Sequence, residues 1–157
     1  MSFDFSADDI LEMAEQIERN GVKFYQTASD SIPDTQCKKF LLELSKMEEQ
    51  HAVVYAAMRA GLSEKEKSST VFDPGHESVL YLRALADTRV FFEKTIDMKS
   101  MKEILKAAIE AEKDSIVFYI GMKDIVPESL GKSRIDAIIK EEMGHIRVLS
   151  KELTALK

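Results

Sequence analysis

The chain has 157 residues, a length that suits one domain rather than two. Hydrophobic residues make up 45% and charged residues 32%, as in globular proteins, and only six Gly and three Pro leave little material for the turns of an all-β fold. A net charge of −6 argues against a nucleic-acid binder, and the single cysteine, Cys37, excludes an internal disulfide and any metal site built from several cysteines.

The sequence also bears on location. The acidic N-terminal stretch lacks the basic start and apolar run of a signal peptide, and no run of eighteen apolar residues occurs. One free thiol suits a reducing compartment. We therefore expect a soluble, cytoplasmic protein with neither membrane nor nucleic acid among its partners.

The first predicted unit is a helical hairpin. Ser6 and Asp9 have the spacing of a capping box, and the apolar residues that follow recur every three or four positions. This pattern predicts a helix over about 6–29. After the break at Pro33, the same kind of pattern predicts a second helix over about 34–60.

A crossover is predicted next, over about 61–99. Residues 61–75 are rich in Ser, Lys and Glu and contain an Asp-Pro-Gly turn signal, so we expect a loop. Residues 77–95 have a helical pattern. His76 falls in the loop, where we expect a solvated side chain.

A second hairpin is predicted over about 100–157. Ser100 and Glu103 repeat the capping-box spacing, and helices are predicted over about 100–123 and 128–155.

The two hairpins are copies of one another. Shifting the sequence by 94 residues aligns residues 10–63 with 104–157 without a gap, and fourteen of the 54 pairs are identical. The expected fold is therefore all-α, a single four-helix bundle over 1–157 made of two repeated hairpins and a long, partly helical crossover.

Acidic and histidine residues interrupt the apolar stripes at matching positions of the two copies. The second helix of each hairpin has a Glu followed three residues later by a His, which places both side chains on one face. The first helix of each hairpin adds an inward Glu with apolar or aromatic residues seven positions before and after it. The set comprises Glu18, Glu48, His51, Glu112, Glu142 and His145.

Four carboxylates in one core require positive charge. Each buried, unpaired carboxylate costs several kcal/mol, and no Lys or Arg lies in the inward stripes. Two divalent cations would balance four carboxylates, and this ligand set is the one found in di-iron and di-manganese bundles. Oxygen and nitrogen ligands without thiolate favour iron or manganese over structural zinc. We predict two iron ions per chain, and manganese or a mixed centre fits the same ligands.

Other polar residues are expected to have simpler roles. We expect Tyr25 and Tyr119 to pack in the core or to donate a hydrogen bond to a ligand carboxylate. Four further acidic residues on these helices are expected to be solvated, and the last two of them lie close enough to the cluster to be of interest: Glu15, Glu110, Glu49 and Glu141.

The ligand segments resemble those of the ferritin-like di-iron carboxylate superfamily, above all its rubrerythrin-type branch. The similar segments are IERNGVKFY, KMEEQHA, IEAEKDSIVFY and IIKEEMGHI, and the resemblance covers nearly the whole chain except the crossover. It implies two terminal carboxylates, two bridging carboxylates and two capping histidines: Glu18 and Glu112, Glu48 and Glu142, and His51 and His145, respectively.

The resemblance also implies an activity, the reduction of hydrogen peroxide or dioxygen at a di-iron centre with electrons from an external donor. Rubrerythrins proper carry a rubredoxin domain with four cysteines, whereas this chain has one, so we expect a separate electron-donor protein. They also carry an extra glutamate about one turn after the third helix's ligand, where this chain has Ser115.

Two alternative functions remain open. The chain resembles bacterioferritin in its ligand set, which would imply a ferroxidase or iron-handling protein, and a non-catalytic metal-binding helical module is the other. Glu49 stands where bacterioferritin has its haem-binding methionine, and only twelve residues follow His145, so we expect no haem and no cage. A homodimer is compatible with the resemblance because related bundles pair.

Overall fold

Four long helices dominate the fold. The structure, a computed structural model, describes residues 6–64, 80–82, 84, 97–123, 126 and 128–156. In chain order its long helices are α1 (Ala7–Ser31), α2 (Thr35–Ala60), α3 (Met101–Lys123) and α4 (Lys132–Ala155), with a short 3-10 helix at Glu128–Leu130. The all-α prediction is confirmed, and the arrangement is consistent with a four-helix bundle. Within the described part of the chain, no helix is both long enough and apolar enough to span a membrane.

The helix starts follow from capping side chains. At the start of α1, Ser6 and Asp9 form the reciprocal capping box that the sequence predicts. The Asp34 carboxylate caps α2 by accepting a hydrogen bond from the backbone N–H of Cys37 at 2.9 Å. Ser100 accepts from the N–H of Glu103 at 3.3 Å at the start of α3.

The last helix begins later than predicted. The sequence pattern places its start near residue 128, but the structure has a 3-10 turn at Glu128–Leu130 and α4 starts at Lys132. Between them, Gly131 has a φ of 98°, in the left-handed region that only glycine enters without strain. This residue ends the 3-10 turn and redirects the chain, so the two segments form separate elements.

The helices pack as two hairpins, α1 against α2 and α3 against α4. Two apolar clusters fill the core. One contains Leu11, Met58 and Phe118, and the other contains Leu41 and Leu105. Each cluster draws on residues of all four helices, one toward each end of the bundle. The buried Glu and His residues lie between the two clusters, at the middle of each helix.

Part of the crossover packs on α3. Residues 80–82 and 84 are helical, within the helix predicted over 77–95, and Leu82 is buried. The hydroxyl of Tyr81 donates to the backbone carbonyl of Val117 at 3.1 Å. A Cβ at Gly121 would lie 2.6 Å from the Tyr81 ring, so glycine permits this close approach. His76, the loop over 65–75 and most of the predicted crossover helix lie outside the described residues.

Truncation of Leu105 tests the packing of the cluster that holds it. Its side chain is fully buried there, so we expect Leu105→Ala to lower the free energy of unfolding by about 2–5 kcal/mol through lost contacts and a cavity. Urea denaturation of the metal-free protein measures this. The matched control is Leu42→Ala on α2, where the side chain is 43% exposed and the expected change is within about 0.5 kcal/mol. Equal effects in the two variants would contradict the assigned core.

Candidate metal centre

The structure brings together all six residues that the sequence singles out. Helices α1 and α3 each contribute one Glu, and α2 and α4 each contribute a Glu and, one turn later, a His. All six are at most 5% exposed: Glu18, Glu48, His51, Glu112, Glu142 and His145. They fall into two groups, each of which could hold a metal ion, with ligand atoms within 4.8 Å of one another.

The first group surrounds Nδ1 of His51. This nitrogen lies 2.9 Å from Oε1 of Glu142, 3.5 Å from Oε2 of Glu18 and 3.8 Å from Oε2 of Glu48. One imidazole nitrogen is thus surrounded by three carboxylates, one each from α1, α2 and α4.

The second group surrounds Nδ1 of His145 in the same way. This nitrogen lies 3.0 Å from Oε2 of Glu142, 3.3 Å from Oε1 of Glu48 and 3.4 Å from Oε1 of Glu112. Glu48 and Glu142 therefore belong to both groups and direct one oxygen toward each histidine. The two imidazole rings are nearly parallel, with centroids 5.7 Å apart.

The surroundings of the two shared carboxyl groups favour their protonated form in the metal-free protein. Burial raises the pKa of Glu48 and of Glu142 well above the usual carboxyl value. The negative charges of Glu112 and Glu18 raise both pKa values further. Burial, reinforced by the two neighbouring carboxylates, thus favours the neutral form of both groups.

The other two carboxyl groups stay ionised. Burial opposes ionisation of Glu112, but close contacts with Glu142 and His145 outweigh it and lower its pKa to about 2. Burial likewise raises the pKa of Glu18, and hydrogen bonds within the cluster reverse the effect, so that the net pKa is lowered.

The two imidazoles supply the balancing charge. Burial alone would lower the pKa of each, but close contacts with the surrounding carboxylates raise the pKa of His51 well above its usual value and that of His145 to about 12. Two imidazolium cations therefore balance Glu18 and Glu112. In the metal-free protein, the protons on these two imidazoles therefore supply the positive charge that the cluster requires.

The cluster nevertheless contains many unpaired polar atoms. Among the residues that the structure describes, both oxygens of Glu48, one oxygen each of Glu18, Glu112 and Glu142, and Nδ1 of His145 have no hydrogen-bond partner. Each such atom costs about 1–3 kcal/mol. No Lys or Arg is buried in the described part of the chain. Four carboxylates and two imidazoles fit two divalent cations of the iron or manganese type, which would use these atoms as ligands.

Two tyrosines link the hairpins through the cluster. The hydroxyl of Tyr25 on α1 donates to Oε1 of Glu112 on α3 at 2.8 Å, and the hydroxyl of Tyr119 on α3 donates to Oε1 of Glu18 on α1 at 2.5 Å. The two bonds are related by the sequence repeat. Both tyrosines are fully buried, and they orient the carboxylate contributed by the opposite hairpin.

The residue one turn after Glu112 adds no ligand. Ser115 is buried, and its hydroxyl donates to the backbone carbonyl of Ala111 within α3 at 2.9 Å. The position therefore contributes no carboxylate to the cluster.

One residue has a contact that the sequence pattern does not reveal. We expected Glu141 to be solvated, and it is 62% exposed, yet its Oε2 accepts a hydrogen bond from Nε2 of His51 at 2.5 Å. The contact joins α4 to α2, so helical periodicity within either segment cannot show it. Glu15 is also less solvated than expected, because it is 12% exposed and bonds to Arg19 and Arg59.

Two clefts between α2 and α4 lead to the cluster. One, of about 490 Å³, is lined by His145, Met47 and Phe40 among others, and a second, of about 400 Å³, is lined by His51. Glu141 borders both. Each cleft is large enough to admit a small molecule to the edge of the cluster.

Comparisons with known proteins agree with this geometry. The rubrerythrin family model matches residues 9–153, which include both hairpins and all six residues of the cluster. A crystal structure described as that of a ferritin-like diiron-carboxylate protein from Thermotoga maritima is similar, with a TM-score of 0.70, 25% sequence identity and 98% of each chain covered. No curated protein matches the chain at a significant level.

The charges of the metal-free cluster predict an unusual pH dependence of stability. A raised pKa in the folded state stabilises the fold at low pH, and this stabilisation is lost as the pH rises above the unfolded pKa toward the folded one. The pKa values of Glu48, Glu142, His51 and His145 are all raised. We therefore expect the free energy of unfolding, measured with urea and a chelator, to fall as the pH rises above about 6.5, the ordinary imidazole pKa, toward the pKa of His145 at about 12.

Neutral side chains at the shared positions serve as the control. The double variant Glu48→Gln/Glu142→Gln removes two of the four groups, so its stability should vary less steeply with pH. Stability of the metal-free protein that is constant or rises over this window would contradict the charge assignment.

Proposed function

Because this chain belongs to the rubrerythrin family, we propose that it holds two iron ions in the six-residue cluster and reduces hydrogen peroxide or dioxygen with electrons from a separate donor protein. The observation that carries the proposal is the buried cluster itself, in which four carboxylates and two imidazoles meet with unpaired ligand atoms and no buried Lys or Arg among the described residues.

The contacts support a specific role for each residue. Glu18 and Glu112 each lie in one group only, together with one histidine, and would serve as terminal ligands. Glu48 and Glu142 direct one oxygen toward each group and would bridge the two ions. The two histidines would bind through Nδ1, the nitrogen that faces the carboxylates.

The chemistry follows from the number of electrons. Two ferrous ions held side by side supply two electrons together, the number that converts hydrogen peroxide and two protons into two waters. The chain supplies the surroundings: the two apolar clusters exclude bulk water from the middle of the bundle, and Tyr25 and Tyr119 hold the terminal carboxylates in place. The clefts between α2 and α4 give a small oxidant a route to the histidines.

Re-reduction then requires an external donor. A single, partly buried thiol, Cys37, lies in the first turn of α2 and cannot form a four-cysteine iron site. We therefore propose a separate electron-donor protein as the partner. A free thiol also fits a reducing compartment such as the cytoplasm.

Metal analysis and oxidation kinetics test the proposal. Protein loaded anaerobically with Fe(II) should retain about two irons per chain by elemental analysis. Its near-ultraviolet absorbance should then rise faster on addition of hydrogen peroxide than on exposure to air. Faster oxidation by air would favour a ferroxidase or iron-handling protein instead. Absence of bound metal, or zinc that iron cannot displace, would rule out the redox function.

The bridging role of Glu48 has a separate test. Removal of a shared carboxylate should leave neither ion with a full ligand set, so we expect Glu48→Ala to retain clearly fewer than two irons per chain while keeping its helix content by circular dichroism. The control is Glu49→Ala, the exposed neighbour on the same helix, which should bind iron as the wild type does. Two irons retained in Glu48→Ala would refute the bridge.

A further inference from the structure

The outer nitrogens of the two histidines have different surroundings. Nε2 of His51 donates to the carboxylate of Glu141 at 2.5 Å. Among the described residues, no group accepts a hydrogen bond from Nε2 of His145, whose ring lines the cleft of about 490 Å³. Both rings border a cleft, but only His51 has a carboxylate hydrogen-bonded to its outer nitrogen.

The sequence repeat locates the cause of this difference. The shift of 94 residues that pairs His51 with His145 also pairs Glu141 with Met47. Met47 lines the same cleft as His145 and is 43% exposed. The position that supplies a carboxylate to one histidine therefore supplies a thioether to the other, which cannot accept a hydrogen bond of comparable strength.

The inner nitrogens are placed alike. Nδ1 of His51 is hydrogen-bonded to Oε1 of Glu142 at 2.9 Å, so this ring is held at both nitrogens. Nδ1 of His145 lies 3.0 Å from the other oxygen of Glu142 but makes no well-directed hydrogen bond. The difference between the two rings therefore lies chiefly at the outer nitrogens, where only His51 is held before any metal binds.

A carboxylate behind a metal-binding histidine has known physical effects. It accepts the outer N–H, which fixes the tautomer with the lone pair on the inner nitrogen, and its charge strengthens that nitrogen as a donor. We propose that Glu141 is a positioning residue for His51, and that the metal held by Glu18 and His51 binds more tightly than the one held by Glu112 and His145. This inference rests on the proposed dinuclear centre.

The consequence is a centre with two unequal halves. The more tightly held ion lies beside a ring that is fixed at both nitrogens. Both histidine rings border a cleft between α2 and α4, so the difference in affinity, rather than access, decides which ion leaves first. Exchange of metal should therefore occur first at the His145 half.

Calorimetric titration of the metal-free protein with Fe(II) alone, under anaerobic conditions, tests the inference. The wild type should bind two ions in two steps with resolved constants. Glu141→Leu should weaken the tighter step by about 10–100-fold and bring the constants together. Glu141→Gln, which keeps an acceptor oxygen without the charge, should lie between the two.

Addition of the missing carboxylate gives a test that does not depend on loss of stability. Met47→Glu should tighten the weaker step by about 10–100-fold. The two ferrous quadrupole doublets expected in the Mössbauer spectrum of the wild type should also become more alike. The control is Glu43→Leu, which removes a negative charge from the lining of the same cleft and should leave both constants unchanged.

The outcomes separate this inference from the function on which it rests. Two equal constants in the wild type, unaltered by either substitution, would overturn the inequality and leave the dinuclear centre in place. An equal loss of iron affinity in Glu43→Leu and Glu141→Leu would show that a general effect of charge, and not the specific hydrogen bond to His51, controls the affinity. Failure to bind iron at all would overturn both the inference and the proposed centre.

Discussion

The burial of four carboxylates in one apolar core is the constraint on which the rest of the structure depends. No Lys or Arg enters this core in the described part of the chain, so positive charge must come from elsewhere. In the metal-free state it comes from protons on two imidazoles and on the two shared carboxyl groups. Metal binding would replace these protons, and the cluster would remain close to neutral in both states.

The arrangement of the bundle follows from that constraint. The charged middle is closed above and below by two apolar clusters, and each cluster draws on all four helices. The hairpins are also joined directly through the cluster, since Tyr25 and Tyr119 each hold a carboxylate of the opposite hairpin. The apolar packing and the polar contacts thus both hold the two hairpins together at the middle of the bundle.

Much of this arrangement could be predicted because it repeats. Helical periodicity and capping residues gave the limits of the long helices to within a few residues, and the repeat of 94 residues made six scattered polar residues stand out as one set. Features that break the repeat or cross between helices escaped prediction. Gly131, with its left-handed backbone, moves the start of α4 to a later residue than the pattern predicts. The hydrogen bond from His51 to Glu141 joins α2 to α4, and the sequence pattern of one helix does not show how that helix is rotated relative to another.

The repeat itself has an evolutionary consequence. If two separate copies of one hairpin formed the bundle, the two-fold axis would require identical residues on both sides of the cluster, and every substitution would appear twice. With both copies in one chain, a substitution alters one side alone. The difference between Met47 and Glu141 is of this kind. The covalent link through the crossover thus gives the protein a freedom that a symmetric assembly lacks: its two histidines can diverge independently.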